Sequence, residues 1–180
     1  MPTPSSPTRD SQRSTTISTE SVTISTSTSA LAETTVDAVT MTGNVAQVFV
    51  DDDDWLSTLR SIQRRLSPRG QLIFETRDPA ARAWERWNRS ASLARTEIGG
   101  TGTVESWVEL LDVALPLVSF RWTFRFVDTG ELLTSDSTLR FRDRAEIETT
   151  LDRCGFDVVE VLDAPDRPGA EFVFVASSQR

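Results

Sequence analysis

The chain has 180 residues, a net charge of −8, five Trp, nine Phe, one Cys and no His, and all 19 of its positive charges are Arg. Without His there is no Ser-His-Asp or Cys-His catalysis and no His-ligated metal, so no metal site is expected; without Lys there is no Schiff base or P-loop. The acidic balance argues against nucleic acid or an anionic membrane as a partner. The lone Cys154 and the lack of a long apolar run or leader predict a cytoplasmic protein.

Residues 1–35 differ in composition from the rest: nineteen are Ser or Thr, with few large aliphatics. Such a run buries too little apolar surface to offset its ordering entropy, so a disordered tail is expected. A phosphorylated or glycosylated tail is an alternative on composition. An out-of-frame reading of a repeating Asp-Leu stretch in a GC-rich gene is another.

Order begins at Asp37–Thr42, DAVTMT, a short apolar run that reads as a strand. Next, Trp55, Leu59, Ile62 and Leu66 fall on one face of a helix, with Asp51–Asp54 at its amino end and Arg60, Arg64 and Arg65 toward the other. Pro68-Arg69-Gly70 marks its stop, and Gln71–Glu75 (QLIFE) is a second strand. A crossover this long makes the two strands parallel and right-handed, part of an open α/β sheet. Pro79–Ala91 is predicted as a helix, since Ala80, Ala83, Trp84, Trp87 and Ala91 share a face. Thr96–Gly102, with three glycines, is predicted as a loop.

The period then shortens to two. Val118, Phe120, Trp122, Phe124 and Phe126 alternate with Ser119, Arg121, Thr123 and Arg125, a half-buried strand. A turn at Asp128-Thr129-Gly130 returns it as Glu131–Arg142, and Val104–Val113 is a third strand of the same antiparallel layer. Asp143 and Glu146 have capping-box spacing; Ile147, Leu151 and Cys154 follow on a helical face closed by Gly155. Asp157–Leu162 and Glu171–Ala176 are final strands whose short linker requires antiparallel pairing.

In an open α/β sheet, ligands bind beyond the carboxyl ends of the parallel strands. Those ends carry Thr42-Gly43-Asn44 and Glu75-Thr76-Arg77-Asp78. Gly43 permits close backbone approach and Asn44 is both donor and acceptor; a plain turn is the alternative. For Asp51–Asp54, helix capping outweighs metal binding. Arg121 and Arg125 point either to solvent or to an anionic substrate, and Trp84 and Trp87 suit a core better than a stacking platform.

From about Asp37 onward, the order of these elements resembles the carboxyl-terminal half of a class I S-adenosylmethionine-dependent methyltransferase. The segment DAVTMTGNVAQVF resembles that family's fourth strand, WLSTLRSIQRRLSPRGQLIFETRDP its next helix, L-x-P-x-G turn and fifth strand, and residues 104–142 its antiparallel insert. Residues 144–176 resemble its closing helix, Gly-Phe turn and last two strands. The resemblance implies a partial Rossmann-like sheet at 36–180 with an insert at about 102–142, and methyl transfer from S-adenosylmethionine to a small-molecule acceptor. It implies Thr42, Gly43 and Asn44 on the cofactor side and Arg77, Trp107 and Arg121 on the substrate side, with no catalytic base assigned. The family's Gly-rich cofactor loop has no counterpart here. The expectation is therefore a truncated member, or alternatively a non-catalytic fragment or pseudoenzyme that self-associates or pairs through the strand edge at Asp37–Thr42.

Overall fold

A computed structural model describes residues 35–180; the rest of the Ser/Thr-rich run, and the readings placed on it, lie outside the described residues. Two four-stranded sheets make up the fold. The first has strand order β1-β2-β8-β7, with β1 at Val36–Met41, β2 at Leu66–Arg77, β7 at Phe156–Asp163 and β8 at Glu171–Ser178. As expected, β1 and β2 run parallel, while β8 is antiparallel to both β2 and β7.

Helix α1, Asp52–Arg65, connects β1 to β2. Its start is set by Asp51, whose carboxylate accepts the Asp53 amide at 2.7 Å. Three further acids occupy the first turn and Arg64 and Arg65 the last, both matched to the helix dipole. Trp55, Leu59, Leu72, Phe74, Ile147, Leu151, Phe156, Phe174 and Ala176 form one core between this sheet and the helices α1 and α3 (Arg144–Arg153). Alternation decides the facing: Leu72 and Phe74 on β2 oppose Ala176 and Phe174 on β8, all on the helix side. Phe74 and Phe174 stack at 5.2 Å, and the Trp55 indole N–H donates to Thr150 at 3.0 Å.

Asp52 is also tied across the fold, to Arg140 at 3.0 Å and Arg142 at 3.1 Å. Burial acts to raise its carboxyl, but the Arg142 hydrogen bond and the two guanidinium charges outweigh it and hold the group below its ordinary value of 3.8. A depressed carboxylate stabilises the folded state above its unfolded value, and that contribution disappears as pH falls through the folded one. The stability difference between the native protein and Asp52→Asn, read by urea unfolding, is expected to be constant near neutrality and to shrink below pH 3.8.

Helix α3 starts as its spacing predicts. Asp143 accepts the Glu146 amide at 2.7 Å, and Gly155 follows the helix with φ +82°. Asp143→Ala is expected to cost about 1 kcal/mol, the usual worth of an N-cap, as a lower urea midpoint at unchanged m.

The second sheet has order β3-β4-β5-β6, with β3 at Ala94–Ile98, β4 at Gly102–Ala114, β5 at Leu117–Phe126 and β6 at Leu132–Arg140, every pair antiparallel. Three local expectations change. Thr96–Gly102 is not wholly loop: Thr96 pairs with Val104 and Ile98 with Gly102, so the sheet begins at Ala94 and only the glycine turn is irregular. Strand β3 is exposed along its whole length, so it has no apolar alternation to show in the sequence.

Pro79–Ala91 is not one helix either. It forms two short 3-10 turns, Pro79–Ala81 and Ala83–Arg86, broken by Arg82 at φ +48°, and then the single-turn helix α2, Arg89–Ser92. Tertiary contacts override the helical period here. Trp84 packs on Phe141 at 4.7 Å and Trp87 on Phe120 at 4.8 Å, while the Trp87 carbonyl accepts the Leu110 amide. Finally, α1 ends at Arg65, before Pro68. Ser67–Gly70 instead form an irregular entry into β2, with Arg69 at φ +63°.

Candidate functional site

Beyond the carboxyl ends of β1 and β2, the chain brings together Gly43, Asn44, Gln47, Glu75, Arg77 and Glu171. Gly43 and Asn44 both adopt left-handed backbone, φ +69° and +59°, a conformation that Gly and Asn tolerate best. Successive residues in this geometry aim their amides into one concavity suited to an anion. Here the anion is internal: the Glu75 carboxylate accepts both the Gly43 and the Asn44 amides. The left-handed turn then leads into a 3-10 turn, Val45–Val48, which carries Gln47.

Arg77 and Glu171 are direct partners across the β2–β8 ladder, which places their charges together. Glu171 is almost fully buried, and its Oε1 accepts from Arg167 at 2.6 Å and Asn44 Nδ2 at 3.1 Å, with Arg77 Nε at 3.7 Å. Arg77 in turn donates to Gln47 Oε1 at 2.9 Å and lies 5.9 Å from the centre of the Trp87 ring. Burial pushes the Arg77 guanidinium below its ordinary value against the pull of Glu171. Arg167 shares the same carboxylate but is half exposed, so the Glu171 hydrogen bond and charge raise it instead.

Two buried polar atoms at this spot have no partner among the described residues: Asn44 Oδ1 and Gln47 Nε2. Their chemical identity follows from their neighbours. The other end of Asn44 donates to a carboxylate, which only accepts; the other end of Gln47 accepts from a guanidinium, which only donates. The site therefore presents one unsatisfied acceptor and one unsatisfied donor, each costly to bury alone. Arg77 and Glu171, which bind the other ends of these two side chains, also line a crevice of about 530 Å³ together with Arg86, Trp87 and Arg167.

The sequence-predicted residues divide in two. Gly43, Asn44 and Arg77 meet at this site, and Thr42 sits exposed just before it at the end of β1. Trp107 and Arg121 lie on one face of the second sheet, in the adjacent Trp107–Thr123 and Glu109–Arg121 pairs. Phe120, which packs on Trp87, points from the other face. There Arg121 is bound to Asp136 at 2.6 and 2.7 Å, while Trp107 donates to Glu109 at 2.8 Å and is covered by Arg89. Arg125, on the same face, pairs with Glu105 at 2.7 Å. Gln47, Glu171, Arg167 and Arg86 were not singled out from the sequence. A charged residue opening the apolar run of β8 was the one available signal, for Glu171.

No protein-family model matches the chain, and no curated protein matches it. Solved structures do. A S-adenosylmethionine-dependent methyltransferase from Clostridium acetobutylicum ATCC 824 superposes with a TM-score of 0.62 at 14% identity, covering 82% of this chain and 60% of that one. The CcbJ methyltransferase from Streptomyces caelestis gives 0.62 at 17% identity, covering 83% and 59%. The SAM-bound amino pentose methyltransferase CalS10 from Micromonospora echinaspora, involved in calicheamicin biosynthesis, gives 0.57 at 17% identity, covering 81% and 59%. The chain has the fold of the class I S-adenosylmethionine-dependent methyltransferases, as its sequence resemblance implied. It spans about 60% of the length of the structures it matches. Among the described residues, no helix is long and apolar enough to cross a membrane.

Proposed function

We propose that this fold serves methyl transfer from S-adenosylmethionine to a small-molecule acceptor, with the reacting groups at the carboxyl ends of β1 and β2. The observation that carries this reading is the unsatisfied pair, Asn44 Oδ1 and Gln47 Nε2, on side chains bound to Glu171 and Arg77, which line an open crevice. An amino and a carboxylate group, as at the cofactor's methionine end, are the complements of such an acceptor and donor. The residues present therefore fit the group. Gly43 and Asn44 would meet it through the Asn side chain, because their amides are already held by Glu75.

When bound, S-adenosylmethionine supplies an electrophilic methyl group. The work left to this chain is positional: transfer needs the acceptor atom held in line with the methyl, and orientation alone removes much of the barrier. Arg77, locked between Gln47 and Glu171, is a positioning group on the acceptor side. Trp107 and Arg121, on the sheet face opposite Phe120, have no part in this reading.

A second reading makes the chain a non-catalytic partner that pairs through β1. It is favoured by β1 lying at the outer edge of its sheet with Val36, Asp37 and Ala38 exposed, a ladder with no partner strand on that side among the described residues. Isothermal titration with S-adenosylmethionine separates the two. Micromolar binding by the 180-residue chain supports the enzyme; no heat up to millimolar cofactor supports the pairing partner.

A further inference from the structure

The crevice at the carboxyl end of β2 is lined by more arginines than acids. Arg77, Arg86 and Arg167 line it beside Asp166 and Glu171, and the nearby Glu75 carboxylate also acts on Arg77 and Arg167. Glu171 is already engaged by both Arg77 and Arg167. Asp166 is largely exposed and reaches only Arg167, at 3.8 Å. The Arg86 side chain has no hydrogen bond or ion pair among the described residues, although it borders the cavity. Its neighbour Trp87 is half-buried, and its ring is held between Phe120 at 4.8 Å and the Arg77 guanidinium at 5.9 Å. A flat apolar wall beside a cationic rim, in about 530 Å³, is the size and make-up of a small-ligand site.

Resting on the methyl-transfer reading for the role of acceptor, we propose that the acceptor is a small monocarboxylate. Its carboxylate is held by the free guanidinium of Arg86, with Arg77 and Arg167 behind it, and its apolar body lies against Trp87. The unpaired guanidinium selects the class. A single carboxylate matches the one free side chain, Arg86, whereas a phosphate dianion would bring a second negative charge against the Asp166 and Glu171 carboxylates. Guanidinium and carboxylate also match in planar, two-point geometry.

The test titrates the ¹⁵N-labelled 180-residue protein with benzoate, its neutral isostere benzamide, and L-methionine, following the indole N–H signals. Trp87→Phe identifies the signal of interest. Benzoate is expected to move it saturably, and benzamide to bind at least about tenfold more weakly, the worth of one charge-assisted hydrogen bond. Arg86→Gln, at an exposed side chain without partners among the described residues, is expected to weaken benzoate binding by about the same factor with the fold intact. The proposal is overturned if benzoate and benzamide bind alike, if neither moves Trp87, or if Arg86→Gln changes nothing. It is also overturned if L-methionine binds as well as benzoate, since the arginines would then serve the cofactor's own carboxylate. The outcome is separable from the methyl-transfer reading. Benzoate binding without S-adenosylmethionine binding keeps the carboxylate site and removes the enzyme; the converse keeps the enzyme and removes this acceptor class.

Discussion

Trp55→Ala is expected to lose about 4 kcal/mol of stability, close to the limit for a single core truncation. Trp55 is 1% exposed and stands where every part of the first core meets. Its ring packs edge-on against Phe74 at 5.8 Å, tilts against Phe49 at 5.8 Å, and carries the Arg142 guanidinium at 5.2 Å on its outer side. Its indole N–H ties α1 to α3 through Thr150. Removing it opens a large cavity and also uncovers Arg142, which is nearly buried and relies on that ring and on Asp52 and Glu146. Trp55→Phe keeps the aromatic contacts and loses mainly the Thr150 hydrogen bond and some volume, so about 1–2 kcal/mol is expected. The check is a pair of urea curves. The Ala variant should unfold at a much lower midpoint and the Phe variant at an intermediate one, at equal m. Equal losses in the two variants would contradict this account of the core.

Glu171→Leu is expected to cost about 3 kcal/mol, for an electrostatic reason: it strips the counter-charge from Arg77, a largely buried cation. Glu171 has a side chain only 3% exposed and is the carboxylate partner of both Arg77 and Arg167. Arg167 is half exposed and can return to water. Arg77 is held by Gln47 and meets water only where it lines the crevice. The Arg77→Met, Glu171→Leu double variant is therefore expected to recover a good part of the loss, since a buried pair replaced whole by apolar groups is often near neutral. A double-mutant cycle by urea unfolding measures this, with a coupling of about 1–3 kcal/mol expected. Additive losses would mean that the two charges do not depend on each other. Glu171→Gln separates charge from shape, because it keeps an acceptor for Asn44 while removing the ion pair.

Period and capping made most of the first sheet legible. The helical repeat of Trp55, Leu59 and Ile62, the acids at 51–54 and the arginines at 64–65 all act within a few residues of one another. That short range is why α1 follows from them. The same holds for Asp143 and Glu146 at the start of α3; the alternation in β5 marks the strand but not its buried face, since Trp122 and Phe124 are exposed while Thr123 is buried. The Trp84–Trp87 segment was not legible, because its apolar residues answer to Phe141 and Phe120, far along the chain, and not to a helical period of their own. Strand β3 was hidden for the opposite reason: with neither face buried, it has no pattern to read.

The candidate site divides along the same line. Residue types and spacing alone determined that an α/β sheet ends in a Gly-Asn turn and an Arg-bearing strand, and that His, Lys and disulfide chemistry are absent from this chain. Only the tertiary structure decided which partner each group has. It seated Glu75 in the Gly43–Asn44 turn, joined Arg77 to Glu171 across a strand pair, and left Asn44 Oδ1 and Gln47 Nε2 unpaired. It also set Trp107 and Arg121 on the sheet face opposite Phe120. The physical reason is separation along the chain. Asn44 and Glu171 stand 127 residues apart, so their hydrogen bond depends on sheet order and register, which local sequence does not encode.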